Sequence, residues 1–152
     1  MTMDVSVDST VLLYSQDRRY PAKQEQSANW LRTLLLSNRL AISPQTLNET
    51  YAVVRRKPEF AHWRGGVRVF LEDLFPQVIP AVATTELLRA WRLEDRYQIG
   101  FWDALQLAIA TAGGCAYFLT EDLNDGQTYG TVKVINPFRH TPADVLGPAL
   151  HP

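Results

Sequence analysis

Residues 101–120 read FWDALQLAIATAGGCAYFLT. The first twelve are apolar almost all round a helical wheel, the mark of a buried helix. Gly113 and Gly114 follow, a left-handed stop for the helix that predicts its end at Ala112. Directly after them Ala116–Thr120 is a short, continuously apolar run, the pattern of a strand covered on both faces. A buried helix leading through a tight glycine turn into a buried strand is the repeating unit of a parallel sheet. It predicts an α/β fold with helices on both faces of the sheet.

Working outward, the same alternation recurs. Towards the amino end, Asp4–Val7 reads as the first strand, ending at Asp8, with a short helical segment at Val11–Tyr14. An amphipathic helix over Ala22–Ser37 and a second strand at Leu40–Ile42 follow. Ser43 and Pro44 have the types favoured at the N-cap and first position of a helix, which is expected to run to Arg56 before Pro58. Further helices are predicted over His62–Leu74 and from Thr84, as cap, to Arg96, with a third strand at Val78–Pro80 between them. Towards the carboxyl end, the polar stretch Glu121–Gly130 precedes a last strand at Val132–Ile135. Residues 1–138 thus read as one domain. The segment 139–152, with three prolines, reads as a loosely held tail.

The chain has 152 residues, of which 46% are hydrophobic and 20% charged, enough for one domain with its own core. Fifteen Lys and Arg against sixteen Asp and Glu leave a formal charge of −1, so no global positive field draws it to nucleic acid or membrane. A single cysteine, Cys115, excludes an internal disulfide framework and a Cys-rich zinc site. With neither a signal-like start nor an apolar run of bilayer length, the expected location is the cytoplasm and no membrane partner is expected.

Four acids stand out. Asp8 and Asp122 each follow a strand at its carboxyl end, the edge where open parallel sheets bind ligands. Glu49 lies on a helix, and Asp103 sits in the apolar helix, where a carboxylate is costly without a partner. Each has a plain alternative: Asp8 as a helix cap, Glu49 as a solvated helical acid, Asp122 as a turn former. If they converge on the sheet edge, they cannot all stay ionised without a cation, and an all-oxygen cluster suits Mg²⁺, with Mn²⁺ as substitute. Such a site favours phosphodiester hydrolysis.

The blocks VDSTVLLY, ISPQTLNETYAVVRRK, IGFWDALQLAIATAGGC and YFLTEDLNDGQTYGTVKVINPF resemble, in order and spacing, the PIN-domain family, specifically its VapC-like toxins. The resemblance covers Val5 to Phe138. It implies a three-layer α/β/α fold with a mostly parallel sheet of four to five strands. It further implies a Mg²⁺- or Mn²⁺-dependent endoribonuclease, usually a homodimer, inhibited by a cognate antitoxin. Carried over block by block, the catalytic acids are Asp8, Glu49, Asp103 and Asp122, with Asp8, Asp103 and Asp122 on the metal. Thr120 matches a supporting hydroxyl and Asp125 an accessory acid. Where the family often has Asp-x-Asn, this chain has Asp8, Ser9 and Thr10, so a hydroxyl at Thr10 replaces an amide.

Arg55 and Arg56, one to two turns beyond Glu49, could reach an RNA phosphate or simply complement the helix dipole. Arg89, Arg92 and Arg96 read as a solvated stripe, with Glu86 placed to pair with Arg89. Trp63 and Phe70 are candidate dimer or partner contacts. His62, His140 and His151 lack any nucleophile or zinc spacing. Two alternatives remain: a degenerate nuclease fold that binds RNA or a partner without cutting, and a haloacid dehalogenase-like phosphatase, which VDSTVLL also resembles.

Overall fold

The computed structural model describes residues 3–80 and 83–148. Its centre is a five-stranded sheet made of β1 (Val5–Val7), β2 (Leu40–Ala41), β3 (Tyr117–Leu119), β4 (Thr128–Tyr129) and β5 (Val132–Ile135), in the order β2-β1-β3-β5-β4. Strands β2, β1, β3 and β5 are mutually parallel, and only the edge strand β4 runs antiparallel, paired with β5.

Helices cover both faces, which makes three layers. Because side chains alternate along a strand, the apolar strands feed two separate cores. Val5, Val7, Leu40, Leu119 and Ile135 pack with α1 (Ser9–Tyr14), α2 (Pro21–Leu36), α3 (Pro44–Arg56) and α4 (Val67–Asp73). Ala41, Phe118 and Val134 pack with α5 (Ala83–Tyr97) and α6 (Phe101–Ala112). The predicted α6 and its stop agree with the structure: Gly113 is still right-handed and Gly114 takes the left-handed step at φ +73°. Cys115 is buried behind it, and burial pushes its thiol up to about 12, so it is inert packing.

Four expectations need correction. Val78–Pro80 is not a strand; it contributes one parallel bridge, Ile42 to Val78, before the chain leaves the sheet at Pro80. His62–Leu74 is not one helix. A 3-10 segment over Pro58–Trp63 precedes α4, and Gly65 and Gly66, poor helix formers, separate them. Trp63 is no surface contact either, being buried in the first core with its ring 5.1 Å from that of Phe70. Glu86, on the other face of the sheet, is buried and forms no ion pair with Arg89.

The chain after Phe138 is tied to the domain rather than trailing from it. Trp30 donates its indole N–H to the carbonyls of Pro137 and His140, both at 3.0 Å. His140 Nε2 lies 2.6 Å from Asp125 Oδ2. Thr141 then caps α7 (Pro142–Leu146) in a reciprocal capping box with Asp144. Residues 149–152 lie outside the described part of the chain.

Candidate active site

Parallel strands point their carboxyl ends to one edge, so whatever follows β1 and β3 meets there. Asp8 follows β1 and Thr120 follows β3, and the Thr120 hydroxyl donates to Asp8 Oδ2 at 2.9 Å. The same Thr120 oxygen accepts the backbone N–H of Asp122 at 3.2 Å. One threonine thus spends its donor on one acid and its acceptor on the loop that carries another.

Asp8 occupies the N-cap position of α1 but makes no capping bond with its side chain. The plain alternative for Asp8 is therefore excluded: the carboxylate turns away from the helix to the sheet edge and is only 8% exposed. Ser9 sits beside it, with its hydroxyl 3.2 Å from Asp8 Oδ1 and 3.0 Å from Glu49 Oε2. Glu49 is half-buried on α3 and is held from its other oxygen by Gln45, one turn earlier, at 2.8 Å. Asp103 projects from the first turn of α6, half-buried, and Asp122 is exposed on the loop after β3.

The electrostatics tie all four together. Burial, followed by the charges of Asp122 and Glu49, pushes the Asp8 carboxyl above the usual range, against the pull of hydrogen bonds from Thr120 and Ser9. Burial and the charges of Asp8 and Glu49 raise Asp103. Burial and the charges of Asp103 and Glu121 raise Asp122. Among the described residues none of the four is in an ion pair; the nearby cation Lys23 is engaged by Glu121 at 3.0 Å.

Beneath the acids lies a buried polar lock. Ser43 donates to Gln106 Oε1 at 2.6 Å, Gln106 donates to Thr46 Oγ1 at 2.8 Å, and Thr46 donates to the Val7 carbonyl at 3.1 Å. Ser43 Oγ also accepts the Thr46 N–H and so caps α3. The lock joins α6, α3 and β1, the elements that carry Asp103, Glu49 and Asp8.

The PIN domain is the family that matches, over residues 5–125. The chain belongs to the PIN-domain family. PIN domains are nucleases, and the phosphatase reading of VDSTVLL falls away with the family established. Three solved structures share the fold of this PIN domain. VapBC2 from Rickettsia felis bound to a DNA fragment from their promoter has a TM-score of 0.64 at 18% identity, covering 86% of this chain and 96% of that one. DNA-bound VapBC from Salmonella typhimurium scores 0.57 at 13% identity, covering 88% and 97%. FitAcB from Neisseria gonorrhoeae scores 0.55 at 17% identity, covering 90% and 99%. No curated protein matches the chain.

Of the residues expected at the site of this PIN domain, Asp8, Glu49, Asp103, Asp122 and Thr120 are brought together. Thr10, in the first turn of α1, has a buried hydroxyl oxygen without a hydrogen-bond partner. Asp125 is employed elsewhere: it accepts the Asn136 N–H at 2.9 Å and bonds His140, and it serves the chain end rather than the acids. Arg55 and Arg56 are exposed in the last turn of α3. Ser9, Gln45 and Gln106 were not singled out from the sequence, although Gln106 stands three residues after Asp103 on the same apolar helix.

The donor set fits a hard divalent cation: carboxylates that raise one another, oxygen atoms only, and no cationic side chain paired with them. Among the described residues no three His, Cys, Asp and Glu side chains are gathered tightly enough to hold a metal as they stand. No helix among those residues is long and apolar enough to cross a membrane.

Proposed function

We propose that this PIN domain is a Mg²⁺-dependent endoribonuclease, with Mn²⁺ as substitute, and the toxin of a toxin-antitoxin pair. The observation that carries the reading is the convergence of four carboxylates from four chain segments without a paired cation, which leaves excess negative charge for a metal and a phosphodiester to balance. Asp8, Asp103 and Asp122 would hold the cation, which when bound neutralises the acids, draws in a phosphate oxygen and acidifies water.

The protein's own groups have separable tasks. Asp8, fixed by Thr120 and Ser9, is the rigid anchor. Glu49, steered by Ser9 and Gln45, orients the attacking water and accepts its proton. Attack in line with the 3′ oxygen leaves 5′-phosphate and 3′-hydroxyl ends. The 2′-hydroxyl takes no part as nucleophile, so preference for RNA over DNA comes from binding. Arg55 and Arg56, exposed at the end of α3, are the basic residues assigned to the phosphate backbone of a bound strand.

Likeness to the VapBC and FitAcB structures supports a cognate antitoxin as partner; the proposal adds that this antitoxin covers the acidic cleft with a basic residue and that the toxin is a homodimer. The test is incubation of antitoxin-free protein with mixed cellular RNA in Mg²⁺, in Mn²⁺ and in chelator, beside Asp103→Asn, with the cut ends mapped by sequencing. Metal-dependent cuts at few sites, bearing 5′-phosphates and absent with Asp103→Asn, are expected. A folded protein that cuts nothing with either metal would overturn the nuclease in favour of a binding module.

A further inference from the structure

Lys23 is the third residue of α2. Helix physics gives no reason for a cation there, since the amino-terminal end of a helix dipole favours acids. Its ammonium instead reaches across to the end of β3 and donates to Glu121 Oε2 at 3.0 Å. Glu121 stands between Thr120, which bonds Asp8, and Asp122, and its charge is one of those that raise Asp122. Of the ion pairs among the described residues, this alone involves residues 120–122. Lys23 is therefore joined to the acidic edge by contact, from the side of α2.

The ammonium is held in place but not used up. Of its three N–H groups, one serves Glu121 and one the Tyr14 hydroxyl at 3.3 Å, and the third has no acceptor among the described residues. Nζ lies 4.6 Å from the centre of the Tyr14 ring and 4.9 Å from that of Phe138, and the two rings meet edge-on at 5.0 Å. These aromatic walls fix the side chain while 36% of it stays exposed. The bonds to Glu121 and Tyr14 hold its proton more firmly than in a free lysine, so it stays charged. An ion pair this exposed is worth at most about a five-fold factor in an equilibrium, so another anion can displace the carboxylate.

We propose that Lys23 grips the RNA backbone beside the acidic cluster: its ammonium leaves Glu121 and donates to a phosphate oxygen of the bound strand, at a phosphate flanking the scissile one. The assignment rests on the nuclease reading for its substrate. Lys23 does not touch the reacting atoms; it binds the strand and sets its register against Asp8 and Asp103. The acids need such a counterpart, because their charge repels the backbone that lies across them. In the free protein Glu121 takes the place of the phosphate.

The experiment uses the full chain and a labelled RNA oligonucleotide. Binding is read by fluorescence anisotropy in chelator, where nothing is cut, and cleavage is read in Mg²⁺. Lys23→Met, which keeps the stem, should weaken binding and raise KM about five- to ten-fold with kcat nearly unchanged, and Lys23→Arg should recover most of the loss. Glu121→Gln should do the opposite and tighten binding roughly three-fold, because it frees the ammonium. A purely structural tie predicts the same sign for both variants, since each breaks the same pair. The slope of log affinity against log salt should fall by about 0.7 in Lys23→Met. Lys133→Met, at an exposed lysine on β5, controls for the loss of any one positive charge and should be nearly silent. A walk of single 2′-O-methylated methylphosphonate linkages, each removing one phosphate charge, should find a position that costs wild type the same factor and costs Lys23→Met almost nothing further.

Equal binding and equal KM in wild type and Lys23→Met would overturn the grip, while cleavage by both would leave the nuclease standing. Weaker binding in both Lys23→Met and Glu121→Gln would also overturn it and make the pair a structural tie. So would a loss in Lys23→Met that no single linkage reproduces, which would make the charge act at a distance. Should Lys23→Met fold poorly, the sign of the Glu121→Gln effect still decides. If wild type cuts no RNA in either metal yet the two variants shift binding in opposite directions, the grip stands and the nuclease reading alone falls.

Discussion

A serine hydroxyl has one proton, yet Ser9 stands within hydrogen-bond distance of both Asp8 and Glu49. It can satisfy one ionised carboxylate at a time, so the pair stays under-supplied with donors. Ser9→Ala is expected to loosen Glu49 and lower the RNA-cleavage rate roughly 10- to 100-fold with little change in melting temperature; an unchanged rate would remove Ser9 from the site. Thr120 is different, because its donor and acceptor are both in use. Thr120→Val should destabilise the fold by about 1–3 kcal/mol, read by chemical denaturation, whereas Thr120→Ser should restore it. Asp8→Asn and Asp103→Asn keep the shape and remove a charge from a repelling group. Each should abolish cleavage while melting no earlier than wild type in metal-free buffer. A variant that melts much earlier would show that its carboxylate has a structural partner.

At the scale of elements, what was legible in the sequence was what periodicity and caps encode. The apolar α6, its glycine stop, the strands β1, β2, β3 and β5 and the Ser43–Pro44 start of α3 are legible in local pattern, whereas β4 lies hidden in the polar stretch 121–130 and Val78–Pro80 only mimics a strand. The four acids drew notice for a related reason, because a carboxylate at a strand end or on an apolar helix breaks that pattern. Contacts between elements left no such trace. Gln106 reads as one polar residue on an apolar helix until Ser43 and Thr46 are seen against it, and Gln45 reads as a solvated glutamine until Glu49 accepts its N–H. The prolines after Arg139 suggested a loose end, but Trp30 and Asp125, distant in sequence, hold it. Two predictions belong here. Gln106→Leu strands the Ser43 and Thr46 hydroxyls in a buried place. It should cost about 1–3 kcal/mol by denaturation and also slow cleavage, since α3 and α6 carry Glu49 and Asp103. Asp125→Asn should lower stability but leave cleavage intact, the reverse of Asp122→Asn; loss of activity would return Asp125 to the acidic site.

For the whole molecule, two groups of carboxylates answer pH in opposite directions. Asp8, Asp103 and Asp122 are raised, so the folded chain holds these protons to higher pH than the unfolded chain does. The stability they lend is full below the ordinary aspartate value of about 3.9 and is lost as pH rises through their folded values. Three other aspartates are lowered: Asp17 by hydrogen bonds from Arg19, Asp144 by those from Thr141, and Asp125 by those from Asn136 and His140, which outweigh its burial. Their stabilisation is present above the ordinary value and is lost as pH falls through the depressed ones. In chelator the melting temperature should therefore peak in mildly acidic buffer and decline towards neutral. Mg²⁺ should raise it most on the neutral side, where the acids are ionised, and less for Asp103→Asn. A Mg²⁺ shift equal at every pH would place the ion elsewhere.

The sheet order has a consequence for the life of the polypeptide. The carboxylates arrive at positions 8, 49, 103 and 122, and β3, which sets the last of them, is flanked by β5, whose residues end at Ile135. A ribosome delivers the chain from its amino end, so β3 is an open edge until nearly the whole domain has been made. No shorter translation product has a finished cutting edge. On the proposed function, the cutting edge is therefore unfinished through most of synthesis and complete only near its end, the stage at which a partner that covers it has to be present.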